Sequence, residues 1–490
     1  MENPVRSQTY KCAPNIALLK YWGKLEKETY NLPLNSSLSL TLDPDQVTSE
    51  TTITICDEAG ISFTLNGHTE PLTKAHLDAV QFFLPDLQQE GKGLKVVSHN
   101  NFPTAAGMAS SASGFAAFAC CMAKLTNYFE QAGSQDTADQ SDYLKPKYWV
   151  GTQVSEAIFG LWVLITSKQP TNTETAEMIV QRALKAMKFV SLVRRLSGSA
   201  CRSIFEGYSL FRGPELIVHD LMRNFQDKGS LDVQSFLNYY FFNFGAVKTV
   251  TSLNIDPALL SVLEPAFSQL LTEAVIEKTD TDSYMSQMLA RHYDIQTSQG
   301  TSVSQLKWVL HLLCSALPLE TMCRMRGESL DHLRSVTDKI SVFACILSST
   351  AKEVSSKAGM TESSQTSDFL VHRVKTLEQR VQSMIRQLTQ ESETGVSGIF
   401  ALLSQDSNSF HSVCLDTVPP IRYISDRSFR LSLDLPGRLA ERGGCGVTFD
   451  AGDNPFVFCV RGDGGDLQKE RAAVEEMLRE AGVEKLIWAW

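Results

Sequence analysis

Several short segments of this 490-residue chain carry side chains whose type and spacing suit phosphate chemistry. From Phe102 the chain runs through Pro103, Thr104, Ala105, Ala106, Gly107, Met108, Ala109, Ser110 and Ser111, a small-residue loop. Phe115, Phe118, Met122 and Leu125 then recur at helical spacing. A helix start leaves backbone N–H groups unpaired, small side chains admit an anion to the backbone, and Ser110 and Ser111 add hydroxyl donors. No Gly-Lys-Ser/Thr follows, so this is not the usual nucleotide loop. On local grounds it is a phosphate cradle or a tightly packed helix start. Lys20, Tyr21, Trp22, Gly23 and Lys24 place two ammoniums and a phenol together, as a polyphosphate site would, although a strand end with exposed lysines explains them more simply. Ser197, Gly198, Ser199, Ala200, Cys201 and Arg202 combine hydroxyls, a permissive glycine and a guanidinium shaped for a carboxylate. The same letters also read as a helix N-cap with a surface arginine. Asp450, in Asp450-Ala-Gly-Asp-Asn454, is a base or a turn-former, the turn being the simpler local account.

The elements that must hold these residues apart or together are readable from periodicity. Leu38, Leu40 and Leu42 alternate with Ser37, Ser39 and Thr41, Ile53 and Ile55 alternate with threonines, and Ile61–Leu65 leads into an Asn66-Gly67 turn. A helix is expected around Leu77–Leu84 and a strand over Leu94–Ser98, an α+β pattern. Further on, Ile340–Leu347 reads as a buried strand, Asp368–Leu388 as an amphipathic helix, and Gly446–Phe449 with Phe456–Val460 as a strand pair. A last helix over Leu467–Ala481 stops at Gly482. Between these, 133–142 reads as a polar, mobile stretch and Thr171–Thr175 as a linker. Ala157–Thr173 shows no folding logic, and 219–328 holds helical-looking apolar segments without a chemical motif.

Bulk composition narrows the classes. Hydrophobic content of 43% with 20% charged residues is that of a soluble globular protein long enough for two domains. A net charge of −10 argues against nucleic-acid binding or attraction to an anionic membrane. The 11 cysteines form no C-x-x-C pair, which points to a reducing, cytoplasmic setting without zinc. No secretory h-region is expected at the N-terminus, and the apolar run Ala157–Ile165 is too short to span a bilayer.

Taken in order, the segments resemble the diphosphomevalonate decarboxylase family of the GHMP kinase superfamily. The resemblance is carried by Asn15-Ile-Ala with Lys20–Lys24, Leu32–Ser39, Asn101–Ser111, Ser197–Ser203, Ser356–Met360, Asp406–Asn408 with Phe410-His411, Cys414–Ile421, and Thr448–Gly452. It covers roughly residues 8–126, 190–218 and 329–462. It implies an N-terminal α+β ATP-binding domain (1–218) and a C-terminal ferredoxin-like domain (219–490), with two long insertions at about 127–189 and 219–328. Those insertions would be lineage-specific surface loops or an oligomer interface.

By the same resemblance, the reaction is an ATP- and Mg2+-dependent decarboxylation of (R)-5-diphosphomevalonate in a cytoplasmic homodimer. Asp450 would act on the C3 hydroxyl, Arg202 would hold the carboxylate, and Lys20 would add charge at the reacting centre. Tyr21 and Lys24, and Ser356 with Lys357, would meet the diphosphate, while the Gly107 loop would hold ATP. The resemblance assigns no metal ligands. The Asp406 and Pro419-Pro420 segments read as architectural. The chain departs from the family with Leu196 for glycine, Asp453 for proline, and His76 where an arginine touches substrate. A related kinase would instead alter the diphosphate lysines or the aspartate–arginine pair.

Overall fold

Strand Ser37–Thr41 shows what the leucine–serine alternation encodes: both faces are fully buried, the leucines in an apolar core and the hydroxyls toward an interior crevice. The computed structural model describes residues 6–103, 108, 110–129, 147–167, 172–228, 230–244, 253–272, 281–297, 303–350, 352–390, 395–461 and 467–490. Ser37–Thr41 lies third in an antiparallel sheet ordered Ala316–Pro318, Tyr208–Phe211, Ser37–Thr41, Asn15–Leu19. A second sheet is ordered Ser7–Cys12, Ser49–Cys56, Gly93–Asn100, Gly60–Leu65, His68–Thr69. The Ser110–Leu125 helix packs on its first two strands. The expected hairpin turn is present, with Asn66 at φ 50° and Gly67 at φ 84°, the left-handed region these residues tolerate best.

The C-terminal half supplies strands Ile340–Ile346, Cys445–Phe449, Pro455–Val460 and Lys485–Trp488. The chain runs strand, helices, strand, strand, helix, strand, and the second to fourth neighbours in the sheet are the third, first and fourth strands in sequence. That connectivity is the ferredoxin-like one expected. Helices Asp368–Thr389 and Gly395–Leu415 pack on each other, and the second of them lies on strand Cys445–Phe449.

Two expectations are corrected. Ala157–Thr173 is not structureless, because helix Trp149–Thr166 occupies most of it. Its Val150, Val154, Ile158, Leu161 and Ile165 are buried, and it packs on helix Thr173–Leu196. Nor is Thr171–Thr175 a linker: Asn172 caps that second helix by accepting from the Thr175 N–H at 2.7 Å. The first signal was hidden because helix Trp149–Thr166 is apolar on more than one face, the second because the helix opens on a run of polar residues. With 18 residues at mean hydropathy 1.2, Trp149–Thr166 is also long and apolar enough to cross a membrane by those two measures, longer than the run Ala157–Ile165. Half of it is buried within the protein. The stretch 133–142 lies outside the described residues.

Asp406 ties the two halves together. Its carboxylate takes a two-pronged ion pair from Arg373, at 2.8 and 2.7 Å, and accepts the Lys20 N–H at 2.7 Å. Arg373 also donates to the Lys20 carbonyl at 2.8 Å. Burial alone would raise the Asp406 pKa, yet Arg373, the Lys20 N–H and Arg380 hold it below the ordinary value. Removing one member of such a pair leaves a buried charge uncompensated. Asp406→Ala should therefore cost about 3–5 kcal/mol of stability at neutral pH. Denaturant unfolding measures this, and a loss below about 1 kcal/mol would show that the pair carries little.

Candidate active site

Lys20 follows strand Asn15–Leu19 and is thus delivered to the crevice between the halves by the Asp406 clamp. Its Nζ lies 2.7 Å from Asp450 Oδ1. The lysine side chain is 3% exposed and the aspartate 23%, so the pair is dry on one side and open on the other. Asp450 leaves strand Cys445–Phe449 on a tight turn in which the Gly452 N–H donates to the Asp450 carbonyl at 2.7 Å. Desolvation lowers the Lys20 pKa, and Asp450 opposes the shift. Lys352 approaches from the other side, donating to the Ala451 carbonyl at 3.1 Å and to Ser356 Oγ at 2.6 Å. Sequence reasoning passed over Lys352. Its only signal was a lysine four residues before Ser356.

Arg202 stands beside this pair. It is 1% exposed, donates to Ser37 Oγ at 2.5 Å, and lies 4.9 Å from the Tyr21 ring centre and 5.1 Å from that of Phe211. Its Nε is buried without a partner among the described residues. Burial lowers its pKa, with Tyr21 and Asp450 among the groups opposing the shift. A desolvated guanidinium with an unpartnered donor is a receptor for an anion. Gly198 makes room for the arrangement, since a Cβ there would sit 2.5 Å from Tyr21 Oη and 3.4 Å from Lys24 Nζ. Burial raises the Tyr21 pKa to about 12, so the phenol is a neutral donor at physiological pH.

Lys24 extends the positive lobe. It is buried, donates to Asn31 Oδ1 at 2.5 Å, and lies 5.5 Å from the Tyr21 ring centre. Desolvation, then Arg194 and Lys357, push its pKa down to about 7, against the pull of Glu26. Glu26 is largely occupied in shaping its own loop, accepting from the N–H groups of Glu28, Thr29, Tyr30 and Asn31.

Other expected residues have different surroundings. Trp22 points into the core, donating to Ser363 Oγ at 2.9 Å and packing edge-on against Phe410. Gly23, at φ 90°, turns the chain between the inward Trp22 and Lys24. Ser197 ends the Thr173–Leu196 helix, and Ser199, Ala200 and Cys201 form the short turn beneath Arg202. His76 is placed elsewhere: it completes a capping box with Thr73 and sits among Phe63, Phe115 and Phe118, its pKa lowered by burial to about 4. Lys357 is exposed, and Ser356 meets Lys352. Asp453 turns away from the crevice, accepting from the Ser425 N–H and Ser428 Oγ at the start of helix Asp426–Arg438.

Of the small-residue loop, Pro103, Met108, Ser110 and Ser111 are described, while Ala105, Ala106, Gly107 and Ala109 lie outside the described residues. The Ser110–Leu125 helix begins with two serines and no acid in its first turn, which suits phosphate oxygens. The crevice thus offers a half-open carboxylate, Asp450, beside a buried cationic wall. That combination fits transfer or cleavage at an anionic, phosphorylated ligand.

Comparisons with known proteins match both halves of the chain to one family. Residues 12–139 match the family model for the diphosphomevalonate decarboxylase-like N-terminal domain, and residues 342–480 match that for the mevalonate 5-diphosphate decarboxylase C-terminal domain. The diphosphomevalonate decarboxylase of Schizosaccharomyces pombe is 27% identical over 481 residues, covering 94% of this chain and 80% of its own length. Mevalonate diphosphate decarboxylase from Staphylococcus aureus shares the fold at a TM-score of 0.54 and 17% identity, covering 99% of this chain and 96% of its own. A solved complex of MDDEF with MVAPP, AMPPCP and magnesium aligns at 0.54 and 21%, covering 99% and 97%.

The lowered Lys24 pKa sets an expected pH profile. Below about pH 7 the ammonium is charged and attracts phosphate; as pH rises through that value the charge is lost and affinity falls. Calorimetric titration of inorganic diphosphate between about pH 6 and 9, compared with Lys24→Met to remove the ligand's own ionisation, reads this. Lys24→Met should bind weakly at every pH, and an unchanged profile in that variant would exclude Lys24.

Proposed function

The chain belongs to the diphosphomevalonate decarboxylase family, and from that membership we propose that it converts (R)-5-diphosphomevalonate and ATP to isopentenyl diphosphate, ADP, phosphate and carbon dioxide. The observation that carries the reading is the Lys20–Asp450 pair beside the buried Arg202, which makes no ion pair with an acid among the described residues. Carbon dioxide can leave only if electrons flow toward C3, so the C3 hydroxyl must first become a leaving group. Asp450, on the half-open side of its pair, takes the hydroxyl proton as the oxygen attacks the γ-phosphorus and the bond to ADP breaks. Lys20 fixes the carboxylate in place and offsets charge at the reacting oxygen. When the C3–O bond breaks, phosphate leaves and positive charge develops at C3. The C–C bond to the carboxylate then breaks, its electrons form the alkene, and carbon dioxide departs.

Arg202, with Ser197 and Ser199 beside it, would hold that carboxylate, and Tyr21, Lys24, Ser356 and Lys357 would meet the diphosphate. ATP phosphates would lie over Ser110 and Ser111. Magnesium, when bound, neutralises phosphate charge; hard hydroxyl donors at Ser110 and Ser111 fit such an ion. Among the described residues no group of three or more His, Cys, Asp or Glu could hold a metal unaided, consistent with an ion carried on the nucleotide. His76, buried at its cap, contributes to packing in this reading and not to substrate contact. Domains 1–218 and 219–490, a cytoplasmic location and a homodimer complete the proposal on family resemblance.

Purified protein given ATP, magnesium and mono- or diphosphomevalonate should release carbon dioxide and phosphate in equal amounts with the diphosphate alone. Phosphoryl transfer without gas would favour the related kinase. Asp450→Asn should lose roughly 10²-fold in turnover while still binding ATP. Near-normal turnover would remove Asp450 from the mechanism. Arg202→Gln should uncouple phosphoryl transfer from decarboxylation, and unchanged kinetics would make the arginine structural.

A further inference from the structure

The segment 219–328 lies between the two matched family regions and reaches the crevice wall. Helix Val303–Leu313 carries His311, which is 4% exposed and stacks on Tyr30 with ring centres 4.6 Å apart. Arg194, at the end of helix Thr173–Leu196 and fully buried, donates from Nη2 to His311 Nδ1 and, at 3.1 Å, to the His311 carbonyl. Its Nη1 donates to the carbonyls of Tyr30 and Asn31, at 2.5 and 3.1 Å. Asn31 is left-handed, at φ 52°, and returns a bond from Nδ2 to the Arg194 carbonyl at 3.1 Å. Its Oδ1 then receives the Lys24 ammonium. Helix Thr281–Tyr293 adds a second tie, Tyr284 Oη donating to the Lys24 carbonyl at 3.1 Å.

We propose that His311 is a positioning residue for the substrate's diphosphate tail, acting through Arg194 and Asn31 on Lys24. The physical argument is that, among the described residues, Arg194 has neutral acceptors alone: three carbonyls and one imidazole nitrogen. A neutral His311 with its proton on Nε2 offers Nδ1 as that acceptor, and the flat ring also clamps Tyr30. Arg194 so oriented holds the 26–31 loop from the carbonyl side while Glu26 holds it from the N–H side. Asn31 is thereby held in a conformation few residues adopt, with its oxygen aimed at Lys24. Among the described residues no carboxylate hydrogen-bonds to Arg194, so its charge stays available to the wall, and an anionic tail meets the Lys24 side chain already in place. The inserted helices are thus part of the site and not decoration on the surface.

The inference rests on the reading of Lys24 as a tail ligand, and one experiment separates the two. Inorganic diphosphate is titrated calorimetrically into the full-length protein and the variants Lys24→Met, His311→Leu, His311→Asn and Asn31→Gly, with steady-state kinetics alongside. His311→Leu removes the acceptor; affinity should fall about tenfold and KM for the phosphorylated substrate rise by a similar factor, with kcat and KM for ATP nearly unchanged. His311→Asn keeps an oxygen where Nδ1 was and should restore binding to within about threefold. Asn31→Gly keeps the left-handed backbone but loses Oδ1, and should match His311→Leu; it serves as the test should His311→Leu not fold. Diphosphate affinity unchanged in either variant would overturn the inference. Equal losses in diphosphate binding, ATP binding and kcat, with no rescue by asparagine, would reduce His311 to a structural residue. Lys24→Met binding diphosphate as the parent does would instead overturn the tail assignment and the inference with it.

Discussion

The structure depends on one buried carboxylate. Asp406 comes from the C-terminal half, yet its partners include the backbone of Lys20 from the N-terminal half. Lys20 is held at its N–H by Asp406, at its carbonyl by Arg373 and at its ammonium by Asp450. Three attachments from one half to a single residue of the other fix the crevice width at the point where chemistry occurs. Burying these charges is costly, and they are retained because each has a partner of matched geometry.

The remaining cations of the crevice are treated differently. Arg202, Arg194 and Lys24 are buried against hydroxyls, carbonyls and aromatic faces, with Glu26 near the last two and Asp450 near the first. Desolvation lowers the pKa of each. A protein carrying a net charge of −10 therefore concentrates uncompensated positive potential where an anionic ligand can settle it. The preorganised field, and not flexible surface lysines, is what the fold supplies.

Long insertions are cheap at a surface, because closing a longer loop adds little entropy. The two segments expected to be insertions, about 127–189 and 219–328, are not confined to the surface. Helices Trp149–Thr166 and Thr173–Leu196 pack together, and the second brings Arg194 and the Ser197–Arg202 segment into register with Lys24. The later helices close the same wall through Tyr284 and His311. An element added between two motifs can thus become the element that aligns them.

Much was legible from the residues alone. Alternation and turn chemistry determined strands 37–41, 49–56 and 60–65, the Asn66-Gly67 turn and the closing helix, because these patterns follow from local backbone sterics. The ordered motifs also determined which family the chain resembles. Local pattern could not show that Trp22 faces the core while Lys20 and Lys24 face the crevice, nor that His76 serves as a helix cap. It missed Lys352 and His311 for the same reason. Their roles come from partners distant in the chain, and only packing brings such groups within hydrogen-bonding reach.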